Sequence, residues 1–437
     1  MEAQEKIMDH LELIFRDHES RLNGSKGSVL HNLHQKSFDL LKQVQFPDRK
    51  HEDWKYTAVQ RLISPEYKLA TEVKQVNVPD IAGLDTYIIP VLNGKVIQEN
   101  ISPDLKQSGI IILSLHEILQ DATLGQDILN WISPDQPTAN NAFELLNLSF
   151  QYGGFFMDVP KNLSLDKPIE IRYLHDSKDI SFSHPSYFIR VGSGSALTVV
   201  ERFERNTETA VPTSKGFINL SGYISLDKNA SLTQIRWQDL PETQSLVYKL
   251  AVTQERDSRY DAFGFDFGGD LIRNTINIDL NESNTFTSLQ AGYIAKKKQS
   301  IDHQTSIHHK VPHCESHECF KGIIDDQASA AFNGKVFVYP DAQKTNAYQQ
   351  NDTLVLSPFA VMNSKPQLEI FADDVKCSHG ATIGQLDEKA LFYLKARGID
   401  QSTAQHMLKA AFLAQVLDMM PNIPLRDYIR SRMSLDI

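Results

Sequence analysis

Hydrophobic positions in the first forty residues recur at helical spacing. Ile7, Leu11, Ile14 and Phe15 form one set; Leu30, Leu33, Phe38, Leu41 and Val44 form a second. Gly24 to Gly27 separates the two predicted helices. The apolar run 87–92 ends in Asn93-Gly94, which predicts a strand and a hairpin-type turn. Ser114 is placed to cap a short helix through Leu119, and 129–150 reads as irregular to helical. From about residue 155 the pattern changes. Short β-rich runs follow one another at 169–174, 186–191, 196–203, 217–226, 231–237, 246–254 and 259–267, with Gly, Asn, Asp and Ser between them. They continue at 274–280, 285–294, 304–309, 322–325, 335–339 and 353–356, with no helix-length apolar pattern among them. Residues 206–215, rich in Thr, Glu and Pro, predict an exposed loop between strands. Many short strands with polar corners make a sandwich, a barrel or a β-solenoid, and no strict repeat period chooses among them.

After Gly384 helical spacing returns. Asp387 is a plausible N-cap for a helix through Ala396, ended by Gly398. Asp400 or Ser402 starts a second helix through Met420, stopped by Pro421. Its apolar residues, among them Ala404, Met407, Leu413, Val416 and Met420, cover more than one side, so it is expected to pack on more than one neighbour. The chain thus divides into a helical and mixed α/β region over 1–150, a β unit over 151–384 and a helical unit over 385–437.

Composition narrows the function classes. The chain has 437 residues, 41% hydrophobic and 23% charged, which is ordinary for a globular protein. Its net charge of −11 argues against a nucleic-acid partner, where a basic stripe is expected. The longest aliphatic cluster, Ile110 to Leu113, is far short of a membrane span, and the first residues lack the apolar core of a signal peptide. Three cysteines, Cys314, Cys319 and Cys377, are too few and odd in number for a disulfide framework. Free thiols are expected, with a reducing cytoplasm as the simplest location.

Two stretches carry candidate chemistry. In Asp373-Asp374-Val375-Lys376-Cys377-Ser378-His379-Gly380, a thiol and an imidazole two residues apart share one face of a strand. Those ligands suit zinc, iron or an iron–sulfur cluster. The bland alternative is a half-buried strand with a satisfied cysteine and a surface histidine. The second stretch holds His303, His308, His309, His313, Cys314, His317 and Cys319. No pair in it has the spacing of a strong zinc signature, and loop histidines around a buried cysteine explain it as well. The chain carries no Walker A motif and no dinucleotide fingerprint: Gly192-Ser193-Gly194-Ser195 leads into a strand, not a helix.

Several islands together resemble the SufB/SufD family of iron–sulfur cluster assembly scaffolds, and its SufD type in particular. They are Arg49-Lys50-His51-Glu52-Asp53-Trp54-Lys55-Tyr56, Gly268-Gly269-Asp270-Leu271-Ile272-Arg273-Asn274 and Asp302-His303-Gln304-Thr305. The set continues with Phe332-Asn333-Gly334-Lys335-Val336, Asp341-Ala342-Gln343-Lys344-Thr345, the stretch 365–382 and Leu391 to Ile399. The resemblance runs from about residue 49 to about residue 415. It implies a right-handed parallel β-helix core over 151–384 and a C-terminal helical domain where a SufC-type ATPase docks. It implies that His379, with Cys377 beside it, lies at the junction with a SufB-type paralogue and holds a transient iron–sulfur cluster shared with that chain. His309, Cys314 and Ser316 match a second family pattern and rank below this pair; Cys319 falls outside it. Gln350 stands where the SufB-type cysteine would be, and no cysteine precedes Cys314, which favours the SufD type. A non-catalytic scaffold follows, with ATP hydrolysis supplied by the partner, a homodimer open to the isolated chain, and reduced FAD in the complex only weakly implied.

Two other classes stay open on the residues alone. A β-solenoid acting on polysaccharide would use paired carboxylates such as Asp325-Asp326 or Asp373-Asp374. A metal-binding module would use the histidines between 303 and 317.

Overall fold

The computed structural model describes residues 2–21, 29–70, 80–118, 122–132, 138–151, 153–175, 179–204 and 214–436. The predicted break at Gly24 to Gly27 and most of the predicted loop 206–215 lie outside the described residues.

Two long parallel sheets form the body. The chain alternates between them, so that from Gly216–Leu226 to Asn346–Val355 each strand pairs with the strand two places earlier and two places later. In sheet I the order from the C-terminal end is Val361–Ile370, Ser329–Val338, Ser300–His309, Leu271–Leu280, Gln244–Gln254, Gly216–Leu226, Pro185–Val191 and Gly153–Val159. In sheet II it is Lys376–Gly384, Asn346–Val355, Glu315–Ile324, Phe286–Ala295, Arg259–Asp266, Ser231–Asp239, Ala196–Glu204, Ile169–Leu174 and Tyr87–Leu92. This is a mainly β protein with a β-solenoid core of about seven turns.

The register explains why the sequence folds so. Ile189, Ile224, Val252, Ile278, Ile307, Val336 and Leu368 are consecutive partners along one inward row of sheet I. Each coil therefore buries its aliphatic face on the next, which is how a solenoid makes a core without a central layer. The corners show a second row. Asn162, Gly194, Asn229, Asp257, Asn284, His313 and Lys344 all have φ between 58° and 73°. Each lies at the same corner of successive coils, its backbone N–H donating to the next coil, as from Asn229 to Arg256 and from Lys344 to Asp374. Asn, Asp and Gly tolerate this left-handed conformation best.

Antiparallel strands close the N-terminal end of both sheets. Lys95–Val96 turns back on Tyr87–Leu92 through Asn93 (φ 50°) and Gly94 (φ 86°), the predicted hairpin. Ile111–Ser114 runs antiparallel to Gly153–Val159. Ser114 then meets the helix Leu115–Ile118, its backbone N–H donating to Glu117 Oε2 at 2.7 Å.

Helices cover the outer faces. Val29–Leu41 and Ala142–Phe150 lie over sheet I, burying Phe38, Leu41, Phe143 and Phe150 with Phe182 and Phe217. At the other end, Gln401–Leu417 and Ile423–Asp436 lie over sheet II. Leu413, Val416, Leu417, Leu425 and Ile429 pack there on Trp237, Phe265, Ile294 and Ile323. Asp387 and Asp400 cap their helices as expected, accepting from the N–H groups of Lys389 and Thr403. The helix Ile423–Asp436 beyond Pro421 was not predicted.

The strand pattern differs from expectation at both ends: at the start Ile111–Ser114, Gly153–Val159 and Ser181–Ser183 were not predicted, and in the last coils the predicted runs are too short. The runs 304–309, 322–325, 335–339 and 353–356 are the C-terminal parts of ten-residue strands, and Val361–Ile370 was not predicted. Their missing halves carry polar interior residues such as Glu318, Gln349 and Asn351, which propensity does not read as strand. Pro366 lies in the last strand of its sheet, an edge position where a sheet tolerates proline.

Candidate functional site

Beyond Val361–Ile370 and Lys376–Gly384 no described strand follows in either sheet. The solenoid ends there with two free edges. Large apolar side chains stand at this end: Phe359, Val361, Phe371 and Ile383 are 71%, 48%, 60% and 53% exposed. A surface of that kind marks an interaction site more often than a solvated cap.

Cys377 and His379 lie on this last rung. Cys377 pairs with Ala347 and His379 with Gln349 in the parallel ladder. Cys377 points inward, half-buried against Val336, Val338, Ala342, Ala347 and Ala372. His379, two residues on, shares that inward face; it is exposed because no coil covers it. The sequence expectation that the two share a face therefore holds, and the face is the mouth of the interior. Burial pushes the Cys377 thiol up from its usual pKa, so it stays protonated at neutral pH until a cation draws the proton off.

The flanking residues have other tasks. The Asp374 carboxylate pairs with Lys344 at the coil corner, so it serves the turn. Gly380 faces outward, where a Cβ would meet Gln350 Oε1 at 2.2 Å; the Gln350 side chain fills that space, held by Asp352 at 2.6 Å. Gln350, which replaces the SufB-type cysteine, is thus on the outside of the sheet.

The second histidine stretch does not converge. His303 and His309 point into the sealed interior, where burial lowers their pKa values to about 4 and about 3. His308 faces outward, stacked on Phe337, and His317 lies between Phe286 and Tyr348 on the other sheet. His313 occupies a left-handed corner. Among the described residues no three His, Cys, Asp or Glu side chains are grouped to hold a metal ion. Of the second-rank residues, His309 Nε2 meets Ser316 Oγ at 2.8 Å. Cys314 is fully buried, its thiol donating weakly to Glu282 O at 3.5 Å, with its pKa raised by burial.

Four of the sequence islands meet elsewhere, on the outer face of sheet I. Arg273 lies 3.6 Å over the Trp54 ring and bonds Asp302 at 2.5 Å and Thr57 at 2.8 Å. Lys335 pairs with Asp53 at 2.7 Å. These residues clamp the N-terminal region onto the solenoid and border a cavity of about 390 Å³ between Asn140, Glu144, Lys249 and Gln304.

A polar interior was missed by sequence reasoning. Glu318 is buried, with its pKa raised to about 7 by burial, and accepts from Gln349 Nε2 at 2.5 Å. The signal was strand parity: Glu318, Gln349 and His379 share one register position.

A stack of two-stranded coils, closed at one end and open at the other beside a thiol and an imidazole, defines a β-solenoid scaffold. Comparison with known proteins places it more narrowly. The family profile "SUF system FeS cluster assembly, SufBD core domain" matches residues 173–412, and "SufBD protein N-terminal region" matches 5–171. A SufBD-family iron–sulfur cluster assembly protein of Synechocystis is 30% identical over 429 residues, covering 95% of this chain and 93% of that protein. Iron–sulfur cluster assembly protein SufD of Escherichia coli is 27% identical over 409 residues, 91% of each chain. The chloroplastic protein ABCI7 of Arabidopsis thaliana is 28% identical over 426 residues, 94% of this chain and 88% of that one. The chain belongs to the SufB/SufD family of iron–sulfur cluster assembly proteins and is of the SufD type.

Proposed function

We propose that this chain is a non-catalytic scaffold subunit of the SUF iron–sulfur assembly machine, paired through its open solenoid end with a SufB-type chain. The observation that carries the reading is the uncapped last rung, with His379 and Cys377 at its mouth and Phe359, Phe371 and Ile383 exposed around it. A partner coil stacked there continues both sheets and covers the apolar side chains.

The cluster is cargo. His379 offers an imidazole nitrogen and Cys377 a thiolate once its proton leaves; one thiol and one imidazole leave the irons short of ligands, which the partner supplies. Ligation split between two chains is labile, as delivery requires. ATP hydrolysis belongs to a SufC-type partner docked on the C-terminal helices. The helix Glu388–Ala396 supports this, since none of its residues is buried and Phe392 is 74% exposed. A chain truncated after Gly384 is expected to lose SufC-type binding; undiminished binding overturns that assignment. In isolation two copies can meet end to end as a homodimer. A cytoplasmic location fits the free thiols, and no described helix is long and apolar enough to cross a membrane. Reduced FAD enters only as a weak implication of the family resemblance for the assembled complex, and no residue of this chain is assigned to it.

The test is co-purification with SufB- and SufC-type proteins, then anaerobic cluster reconstitution of wild type and His379→Ala. The proposal expects the variant to assemble normally and yield little cluster. Normal cluster yield from the variant removes His379 from the site; failure to bind a SufB-type chain overturns the scaffold reading.

A further inference from the structure

The residue that sets the chemistry of His379 lies one coil below it. This inference rests on the reading of His379 as a cluster ligand and adds what orients it. Glu318, Gln349 and His379 are successive partners on one inward row of sheet II. Glu318 and Gln349 are 3% and 2% exposed. Gln349 Nε2 donates to Glu318 Oε2 at 2.5 Å. At pH 8, above its raised pKa of about 7, Glu318 is a carboxylate and only accepts, so this contact fixes which way the amide faces. The amide nitrogen turns down to Glu318, and Gln349 Oε1 is left buried without a partner among the described residues. Gly334, across the interior, makes the arrangement possible: a Cβ there would come within 2.2 Å of Gln349 Nε2.

A buried acceptor without a donor is costly, and the next side chain on the row is the His379 ring. We propose that Gln349 is a positioning residue: its Oε1 accepts from the ring N–H of His379, holding one neutral tautomer and presenting the other nitrogen's lone pair at the open end. Histidines that bind metal are oriented in this way, through a fixed acceptor on the nitrogen away from the metal. Glu318 acts at one remove, by fixing the orientation of Gln349.

The measurement is the long-range ¹H–¹⁵N spectrum of the full chain labelled with ¹⁵N-histidine, at pH 8. His379 is identified as the signal lost in His379→Gln. Wild type should show one tautomer favoured by about tenfold, the bias a single hydrogen bond supplies. Gln349→Leu should show the mixture of free histidine. Glu318→Gln keeps the shape but lets the amide face either way, and should also relax the bias. The same tautomer distribution in wild type and both variants overturns the inference, and the gentler Glu318→Gln decides if Gln349→Leu fails to fold. Cluster yield answers separately: if His379→Ala reconstitutes normally, the ligand reading fails whatever the tautomer shows.

Discussion

The two ends of the solenoid are built from the same strands and finished differently. At the start, antiparallel strands, Lys95–Val96 and Ile111–Ser114, turn each sheet back on itself, and helices cover the outer face. At the end both sheets stop on a full-length parallel strand. The inward row from Ile189 to Leu368 keeps its aliphatic character to the last rung, but Ile278 is sealed while Leu368 is half-exposed. Along this row exposure at the end therefore comes from the missing next coil and not from a change of side-chain chemistry. Solenoids that end in solvent carry a polar cap. This one keeps Phe371 and Ile383 in the open.

That contrast can be broken in several places. The largest effect is expected from acid. His303 and His309 are neutral in the fold, with pKa values lowered to about 4 and about 3. Unfolded, they return to about 6.5. Their contribution is complete above pH 6.5 and is lost as pH falls from there through 4 and 3, on the order of 5 kcal/mol for the two by pH 4. Glu318, raised to about 7, runs the opposite way: its contribution is complete below about 4.5 and is lost as pH rises through 7. Urea denaturation of wild type and His309→Asn between pH 7.5 and 4.5 reads the difference, and the variant should show the shallower acid loss. A profile unchanged by the substitution contradicts a sealed trunk.

Next is the clamp. Arg273→Ala leaves Asp302 buried without its partner and removes the cation over Trp54, which should cost about 3–5 kcal/mol by chemical denaturation. A cost under about 1 kcal/mol would mean that the N-terminal region is held elsewhere. At the open end, Phe371→Glu should leave the isolated chain as stable as wild type but weaken binding to a SufB-type chain by about 2 kcal/mol, roughly thirtyfold in Kd by calorimetry. Smallest is the effect at the open rung in a paired truncation along one row. Ile278→Ala should cost about 2–5 kcal/mol and Leu368→Ala under about 1 kcal/mol. Equal costs would erase the distinction between trunk and end.

Much of this was legible in the chain. Alternating apolar residues marked most strands between 169 and 294, and capping residues marked the last helices, because both are local signals. The repeat was hidden for a physical reason. The corner residues differ in type, from Asn229 and Asp257 to His313 and Lys344. The step also varies from coil to coil: Ala196 pairs with Ser231, Ser231 with Arg259, Arg259 with Phe286 and Glu315 with Asn346. His313 looked like a metal ligand and is a turn. The islands around Trp54, Arg273 and Lys335 carried the family resemblance, and the structure joins them in a structural clamp. Cys377 and His379 were visible as a pair. Their place at an open mouth, and Glu318 and Gln349 behind them, depend on coil register, which no short window of sequence contains.

Hydrogen exchange of the full chain, with and without a SufB-type protein, tests the open end most directly. The account predicts that amides of Lys376–Gly384 and of the turn around Phe371 exchange quickly in the isolated chain and become protected on mixing, while Gly216–Leu226 stays protected throughout. Protection that appears elsewhere, with Lys376–Gly384 unchanged in a complex that has formed, would contradict it.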